Sequence, residues 1–320
     1  MKLQDFLNEW NNNSPFISVE TSGSTGTPKT LLIEKEKMIA SARMTCQFLR
    51  LKPHDKALLC MSLKHIGAKM MVVRSLIADL DLLVTPPSKN PLAEITMPLD
   101  FVAMVPLQVY NSMQNPTEYE RLKRIEKLII GGGQIDEKLE EELKKFPNEV
   151  WSTYGMTETL SHIAMRRVNG HNASHWYQTL PGINISTQTD GCLVIYAPHL
   201  SEKPIVTNDI VEINANNKFK ILGRKDNVIN SGSIKIQIEE VEKIVGKHLN
   251  NSFAISGKKD IMYGEIVVLY YTPSTHFSQE ILDTINNELP KYHKIKEAVC
   301  IEEIPLTSNG KIDRGSLRNK

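Results

Sequence analysis

The chain has 320 residues, with 38 basic side chains against 37 acidic ones and a hydrophobic fraction of 41%. That length suits two or three domains with sizeable cores, and the near balance of charge argues against a nucleic-acid partner. No apolar run approaches the roughly 18 residues that a membrane helix needs, so no membrane insertion is expected. The first fifteen residues are polar, with three consecutive asparagines, and do not read as a signal peptide. Cys46, Cys60, Cys192 and Cys300 are scattered without a C-x-x-C pair. They read as reduced thiols of a cytoplasmic protein. No cluster has the spacing of a metal site.

In chain order, residues 16–19 and 30–33 read as strands on either side of a loop. Residues 34–49 form an amphipathic helical pattern, with Met38, Ala42, Thr45 and Leu49 on one face. A strand at 56–61, a helix at 66–78 and a strand at 81–85 follow, the last ended by Pro86-Pro87. A strand at 100–105 stops at Pro106, and short helices are expected at 107–113 and 117–125. A strand at 126–130 runs into Gly131-Gly132-Gly133, before a helix at 136–145 and a strand at 149–153. Such alternation predicts a parallel α/β sheet. From about residue 178 the period changes to two. Segments 182–188 and 192–197 flank Thr189-Asp190-Gly191, and segments 205–213 and 218–222 flank residues 214–217. Both are hairpin signals. Beyond residue 223 come a helix at 238–249, strands at 252–257 and 264–271, a helix at 278–289 and a strand at 298–302. The expected fold is a large α/β N-terminal domain over 1–222, with a β-rich subdomain at about 178–222, and a small mobile α+β domain over 223–320.

The chemistry starts at Thr21-Ser22-Gly23-Ser24-Thr25-Gly26-Thr27-Pro28-Lys29-Thr30. Glycines let a backbone approach a ligand closely, and successive N–H groups can form an anion-binding concavity. With the hydroxyls and Lys29, a polyphosphate is the natural guest, although Gly, Ser, Thr and Pro also make ordinary surface turns. A Walker loop fails on Pro28, which lacks the backbone donor that loop requires. Trp151-Ser152-Thr153-Tyr154-Gly155-Met156-Thr157-Glu158-Thr159 follows a strand end, where open α/β sheets bind ligands. Tyr154 suits stacking on a base, Thr157 donating to a phosphate, and Glu158 holding Mg²⁺ through oxygen. The stretch equally reads as a capped helix start, since Thr157 is a good N-cap.

The decapeptide resembles the phosphate loop of the adenylate-forming superfamily of acyl-CoA synthetases, adenylation domains and luciferases, with Thr30 where the family usually has glycine. The Tyr154–Glu158 stretch resembles its second signature. Thr207-Asn208-Asp209 is similar to its T-G-D motif, Gly223-Arg224-Lys225-Asp226 to its hinge, and Pro305 to Arg314 to its last signature, P-x-T-x-x-G-K-x-x-R. The resemblance implies ATP, Mg²⁺ and CoA as cofactor and substrates, and a small carboxylic acid as the acyl donor. It implies that residues 21–26 and Lys29 hold phosphates and that Gly132 and Gly133 pack against adenine, which Tyr154 of the Tyr154-Gly155 pair covers. It further implies that Glu158 binds magnesium, that Asp209 and Arg224 contact ribose, that Asp226 is the hinge, and that Lys311 is the catalytic lysine of adenylation. Ser231-Gly232-Ser233 departs from the family's Ser-Gly-Gly in the turn lining the pantetheine tunnel.

Within the superfamily the chain looks most like the o-succinylbenzoate–CoA ligases of menaquinone biosynthesis, through segments 63–76, 154–163 and 221–242. Another acyl- or aryl-CoA ligase, or an adenylation domain loading a carrier protein, also fits. Keeping both Glu158 and Lys311 argues against a nucleotide binder without turnover. By the same resemblance His65 lies beside the acyl pocket. Such a substrate has a second carboxylate, which must be paired or solvated. Arg74 offers a bidentate fork, with Ser161 and His162 as rivals, and a solvated or core-edge arginine fits Arg74 as well. Family members carry a long region before the phosphate loop, so a compact form, or one lacking part of the N-terminal structure, is expected.

Overall fold

The structure, a computed structural model, describes residues 1–21, 29–232, 234–249, 253–306 and 312–318. Helix α1 (Leu3–Asn11) precedes a hairpin of β1 (Phe16–Thr21) and β2 (Lys29–Glu34). The helix was not anticipated, although Leu3, Phe6, Leu7 and Trp10 recur at helical spacing among the polar residues. It buries Phe6 fully and stacks Trp10 obliquely beside it, with ring centroids 6.0 Å apart. Next come α2 (Lys35–Leu49), β3 (Lys56–Leu59), α3 (Ile66–Ala78), β4 (Asp81–Val84) and β5 (Phe101–Met104). The four face residues of α2, Met38, Ala42, Thr45 and Leu49, are all buried. Helices α4 (Pro106–Gln114) and α5 (Pro116–Lys123) each open on proline, whose missing N–H is harmless in a first turn. Asn115 caps α5 by accepting from the Thr117 and Glu118 amides.

Then follow β6 (Lys127–Ile130), α6 (Glu137–Leu143), β7 (Glu149–Gly155), β8 (His162–Arg167) and β9 (Gln178–Thr179). One seven-stranded sheet results, in the order β4-β3-β5-β6-β7-β8-β9. As expected, β4, β3, β5, β6 and β7 run parallel. The unexpected part is the antiparallel edge of β8 and β9. Five consecutive residues of β8 are buried, so the strand shows no alternation to reveal it. One cluster, including Leu58, Val102, Leu128 and Val150 from the central strands, forms the core beneath this sheet.

A four-stranded sheet follows in sequence order: β10 (Asn184–Thr187), β11 (Cys192–Tyr196), β12 (Ile205–Ile213) and β13 (Phe219–Arg224). The turn at Asp190-Gly191 is as expected, with Gly191 at φ +80°. The C-terminal part contains β14 (Val228–Ser231), β15 (Ile234–Gln237), α7 (Ile238–His248), β16 (Phe253–Asp260), β17 (Gly264–Tyr271), α8 (Gln279–Glu288), β18 (Ile295–Cys300) and α9 (Arg314–Arg318). Strands β14 and β15 form a short hairpin absent from the sequence reading, and β18 starts three residues earlier than expected. Ile229, Val241, Ile255, Val267 and Ile285 share its core.

By internal packing the chain divides into two compact units. One comprises residues 1–185, 195–205 and 213–220, and the other residues 186–194, 206–212 and 221–320. No helix among the described residues is long and apolar enough to cross a membrane.

Candidate active site

The parallel strands bring two candidate stretches to one end of the sheet. Ile130 of β6 pairs with Ser152 of β7, so Gly131-Gly132-Gly133 and Tyr154-Gly155 leave neighbouring strands at the same end. Gly132 takes a φ of +78°, a region that suits glycine. At Gly155 a Cβ would collide with the Ser161 carbonyl and the His162 backbone. The second signature therefore needs glycine there because β8 passes directly against it. Tyr154 is 8% exposed and is braced edge-on by Phe219 at 5.1 Å and Tyr177 at 6.0 Å. Tyr177 and Phe219 stack on each other at 5.4 Å and exchange backbone hydrogen bonds of 2.7 and 3.0 Å. The sequence reading missed both rings. They lie outside the signatures, and their only signal is aromaticity.

Thr157–Thr159 is a single 3₁₀ turn rather than a longer helix, and Thr157 lies within it, not at its N-cap. Buried Thr159 staples the turn, accepting from the Met156 amide at 2.9 Å and donating to the Ser161 carbonyl at 2.7 Å. This leaves Glu158 exposed, with no hydrogen-bond or ion-pair partner among the described residues. One free carboxylate at a strand end fits a magnesium ion that takes its other ligands from phosphate and water. No cluster of three or more His, Cys, Asp or Glu suited to a metal occurs among the described residues.

Thr21 pairs with Lys29 across the β1–β2 hairpin, so the phosphate-loop stretch leaves and re-enters at adjacent strand ends. Ser22, Gly23, Ser24, Thr25 and Gly26 lie outside the described residues, as does Lys311.

The acyl-side candidates converge more tightly than their spacing foretold. Arg74 of α3 is 2% exposed, and its Nη2 donates to Ser161 Oγ at 2.5 Å. Its Nε is buried without a partner, and no carboxylate pairs with it among the described residues. Burial pulls the guanidinium down to about 10. The core-edge alternative for Arg74 thus gives way to full burial. His162 is 6% exposed, with Nε2 2.9 Å from Thr45 Oγ1 and Nδ1 3.4 Å from Ser161 Oγ. Burial, reinforced by the Arg74 charge, holds its pKa well below the usual histidine value, so it is neutral. Thr45 was visible in the sequence only as a member of an apolar face. His65 precedes α3 as its exposed N-cap and makes no side-chain hydrogen bond or ion pair among the described residues. The structure does not bring it into the Arg74 cluster.

In the second unit, Asp209 and Arg224 meet at 2.9 Å. Arg224 also forks onto Asp226, Nε to Oδ1 and Nη2 to Oδ2, both at 2.9 Å. Burial opposes ionisation of Asp226, but the Arg224 fork outweighs it and lowers the carboxyl pKa. The two ribose candidates and the hinge candidate thus form one charged cluster.

The AMP-binding enzyme family matches residues 7–186, and the AMP-binding enzyme C-terminal domain matches residues 240–311. The chain is 23% identical to the 2-succinylbenzoate–CoA ligase of Listeria monocytogenes over 352 aligned positions, covering 100% of this chain and 73% of that one. The crystal structure of an acyl-CoA synthetase (AMP-forming)/AMP-acid ligase II-like protein from Dyadobacter fermentans is 33% identical, with a TM-score of 0.67, covering 98% of this chain and 91% of that one. The o-succinylbenzoate CoA synthetase of Bacillus subtilis, solved with its acyl-adenylate intermediate, shares the fold at a TM-score of 0.80 and 20% identity, covering 95% of this chain and 69% of that one. With the family model matching more than half of its length, the chain belongs to the AMP-binding enzyme family, the adenylate-forming enzymes.

Proposed function

We propose that the chain is an AMP-forming acid–CoA ligase that converts o-succinylbenzoate to o-succinylbenzoyl-CoA, a step of menaquinone biosynthesis that draws ATP and CoA from the cytoplasm. A carboxylate is a poor acyl donor because oxide is a poor leaving group. Attack of one carboxylate oxygen on the α-phosphate of ATP gives an acyl-adenylate and pyrophosphate, and the CoA thiol then displaces AMP. Little covalent chemistry falls to the protein, so positioning and charge stabilisation dominate. Tyr154, with Gly132 and Gly133, walls the base, residues 21–26 and Lys29 take the phosphates, Thr157 donates to a phosphate, and Asp209 with Arg224 takes the ribose. Glu158 would hold magnesium, which when bound would offset phosphate charge.

The observation that carries the substrate reading is Arg74, a fully buried cation with no anionic partner among the described residues. Leaving such a charge uncompensated is costly, and an acid with a second carboxylate supplies the missing anion. Of the acids considered, o-succinylbenzoate has that second group, whereas a simple fatty acid does not. The alternatives, another acyl- or aryl-CoA ligase or an adenylation domain that loads a carrier, remain as outcomes of the test. Purified protein is given ATP, Mg²⁺, CoA and o-succinylbenzoate, and the products are read by mass spectrometry. The thioester is expected. Turnover of medium-chain fatty acids with none of o-succinylbenzoate would sink the assignment while sparing the chemistry.

Lys311 adds a second test. Lys311→Ala should lose on the order of 10²–10³ in adenylate formation, by analogy with oxyanion donors. It should still make thioester from supplied acyl-adenylate and CoA. Equal loss in both half-reactions would deny it a role specific to adenylation.

A further inference from the structure

We propose that Thr45 and His162 are positioning residues for the Arg74 site, through a hydrogen-bond chain Arg74–Ser161–His162–Thr45 that runs in one fixed direction and sets the preference for a diacid. The inference rests on the reading of Arg74 as the seat of the second carboxylate.

The direction follows from counting donors and acceptors. Thr45 Oγ1 donates to the Ser41 carbonyl one turn back at 3.3 Å, the usual habit of a helical threonine. Its oxygen must therefore accept from His162 Nε2, 2.9 Å away, which puts the ring proton on Nε2. Nδ1 is then bare and accepts from the Ser161 hydroxyl at 3.4 Å. With its proton spent on His162, Ser161 Oγ presents a lone pair to Arg74 Nη2 at 2.5 Å. In the opposite tautomer both His162 Nδ1 and Arg74 would donate to Ser161, and the serine proton would have no acceptor among the described residues. Every member of the chain is buried except Ser161, which is partly exposed. Thr45 and His162 are both buried, yet they decide which face Ser161 turns to Arg74. The serine engages Nη2, and the buried Nε has no partner among the described residues.

Two measurements test this. The first is the ratio of kcat/KM for o-succinylbenzoate to that for the same acid lacking its second carboxylate. Thr45→Val keeps the volume of the side chain and removes the hydroxyl, and the ratio should fall about tenfold, the scale of one hydrogen bond to a charged group. His162→Phe should do the same, while His162→Asn, whose oxygen can still accept from Ser161, should restore most of the ratio. If Arg74→Met collapses the ratio but Thr45→Val leaves it intact, the relay is wrong and the substrate reading stands. An unchanged ratio in Arg74→Met removes the substrate reading itself. The second measurement needs no substrate. Nitrogen NMR of the folded protein should show His162 with a protonated Nε2 and a bare Nδ1, and Thr45→Val should shift that tautomer. A protonated Nδ1 in the unsubstituted protein overturns the proposal.

Discussion

Two buried arginines in the same unit of the molecule are treated in opposite ways. Arg166, on β8, sets its Nη1 and Nη2 against the two Glu140 oxygens at 3.1 and 2.5 Å. It also donates to the Ser174 carbonyl and lies over the Tyr177 ring at 5.7 Å. Burial pulls its pKa down, but Glu140 and Tyr177 more than offset that, and the net shift is upward. Arg74, on α3, has one serine hydroxyl and no carboxylate among the described residues, and its pKa falls to about 10. Arg166 completes its charge within the fold and ties α6 to the edge of the sheet. Arg74 is held in place with its charge incomplete. Burial alone does not separate the two, and on the proposed reading it is the lack of an internal anion among the described residues that marks Arg74 as a binding cation.

The comparison makes a stability prediction with opposite outcomes. Arg166→Met strands a buried carboxylate and should cost about 3 kcal/mol. Arg74→Met removes a charge that no carboxylate among the described residues neutralises, so it should be neutral or stabilising. Urea unfolding of the two variants reads both. Equal losses would mean that Arg74 is a structural cation after all. The functional counterpart is nearly as large. Arg74→Met should raise the KM for o-succinylbenzoate about 100-fold, the scale of a truncated buried charge pair, and Arg166→Met, where it folds, should move that KM little. An unchanged KM in Arg74→Met would break the contrast.

A smaller effect concerns Gly155. Gly155→Ala drives a methyl group into the Ser161 backbone and should destabilise by about 1–3 kcal/mol, as overpacking does. Thermal unfolding measures it, and a neutral substitution would show that β8 does not press on the second signature. The smallest effect is in pH. His162 has a folded-state pKa well below its unfolded value near 6.5. The unfolded chain thus takes up a proton that the folded chain refuses. Its contribution is whole above about pH 6.5 and is lost as pH falls below that, at up to about 1.4 kcal/mol per pH unit. His162→Phe should flatten this acid limb, and an unaltered limb would place the titration elsewhere.

Much of the fold was legible because its signals are local. The helix at 66–78 was read correctly because a run of apolar residues is bounded by Asp79 and a following strand. The parallel order followed from alternation, and the turn at Asp190-Gly191 from its glycine. Strand β8 was hidden because burial of His162 to Arg166 erases the period on which such readings depend. At the site, Glu158, Tyr154 and Gly155 could be named because they fall within a signature. Arg74, Ser161 and His162 could be named only as rivals. That they form one chain depends on Arg74 of α3 reaching Ser161, just before β8, and on Thr45 of α2 meeting His162, and sequence separation says nothing of that. Thr45 was beyond reach, since on an apolar face a threonine reads as filler until its hydroxyl is seen 2.9 Å from a buried imidazole.

The central claim is that Arg74 waits for the second carboxylate of the acid. Calorimetric titration tests it most directly, with o-succinylbenzoate and the same acid lacking that carboxylate each added to the unsubstituted protein and to Arg74→Met. The account predicts a preference for the diacid of about 100-fold in the unsubstituted protein and near parity in the variant. Parity in both proteins, or the same preference in both, would contradict it.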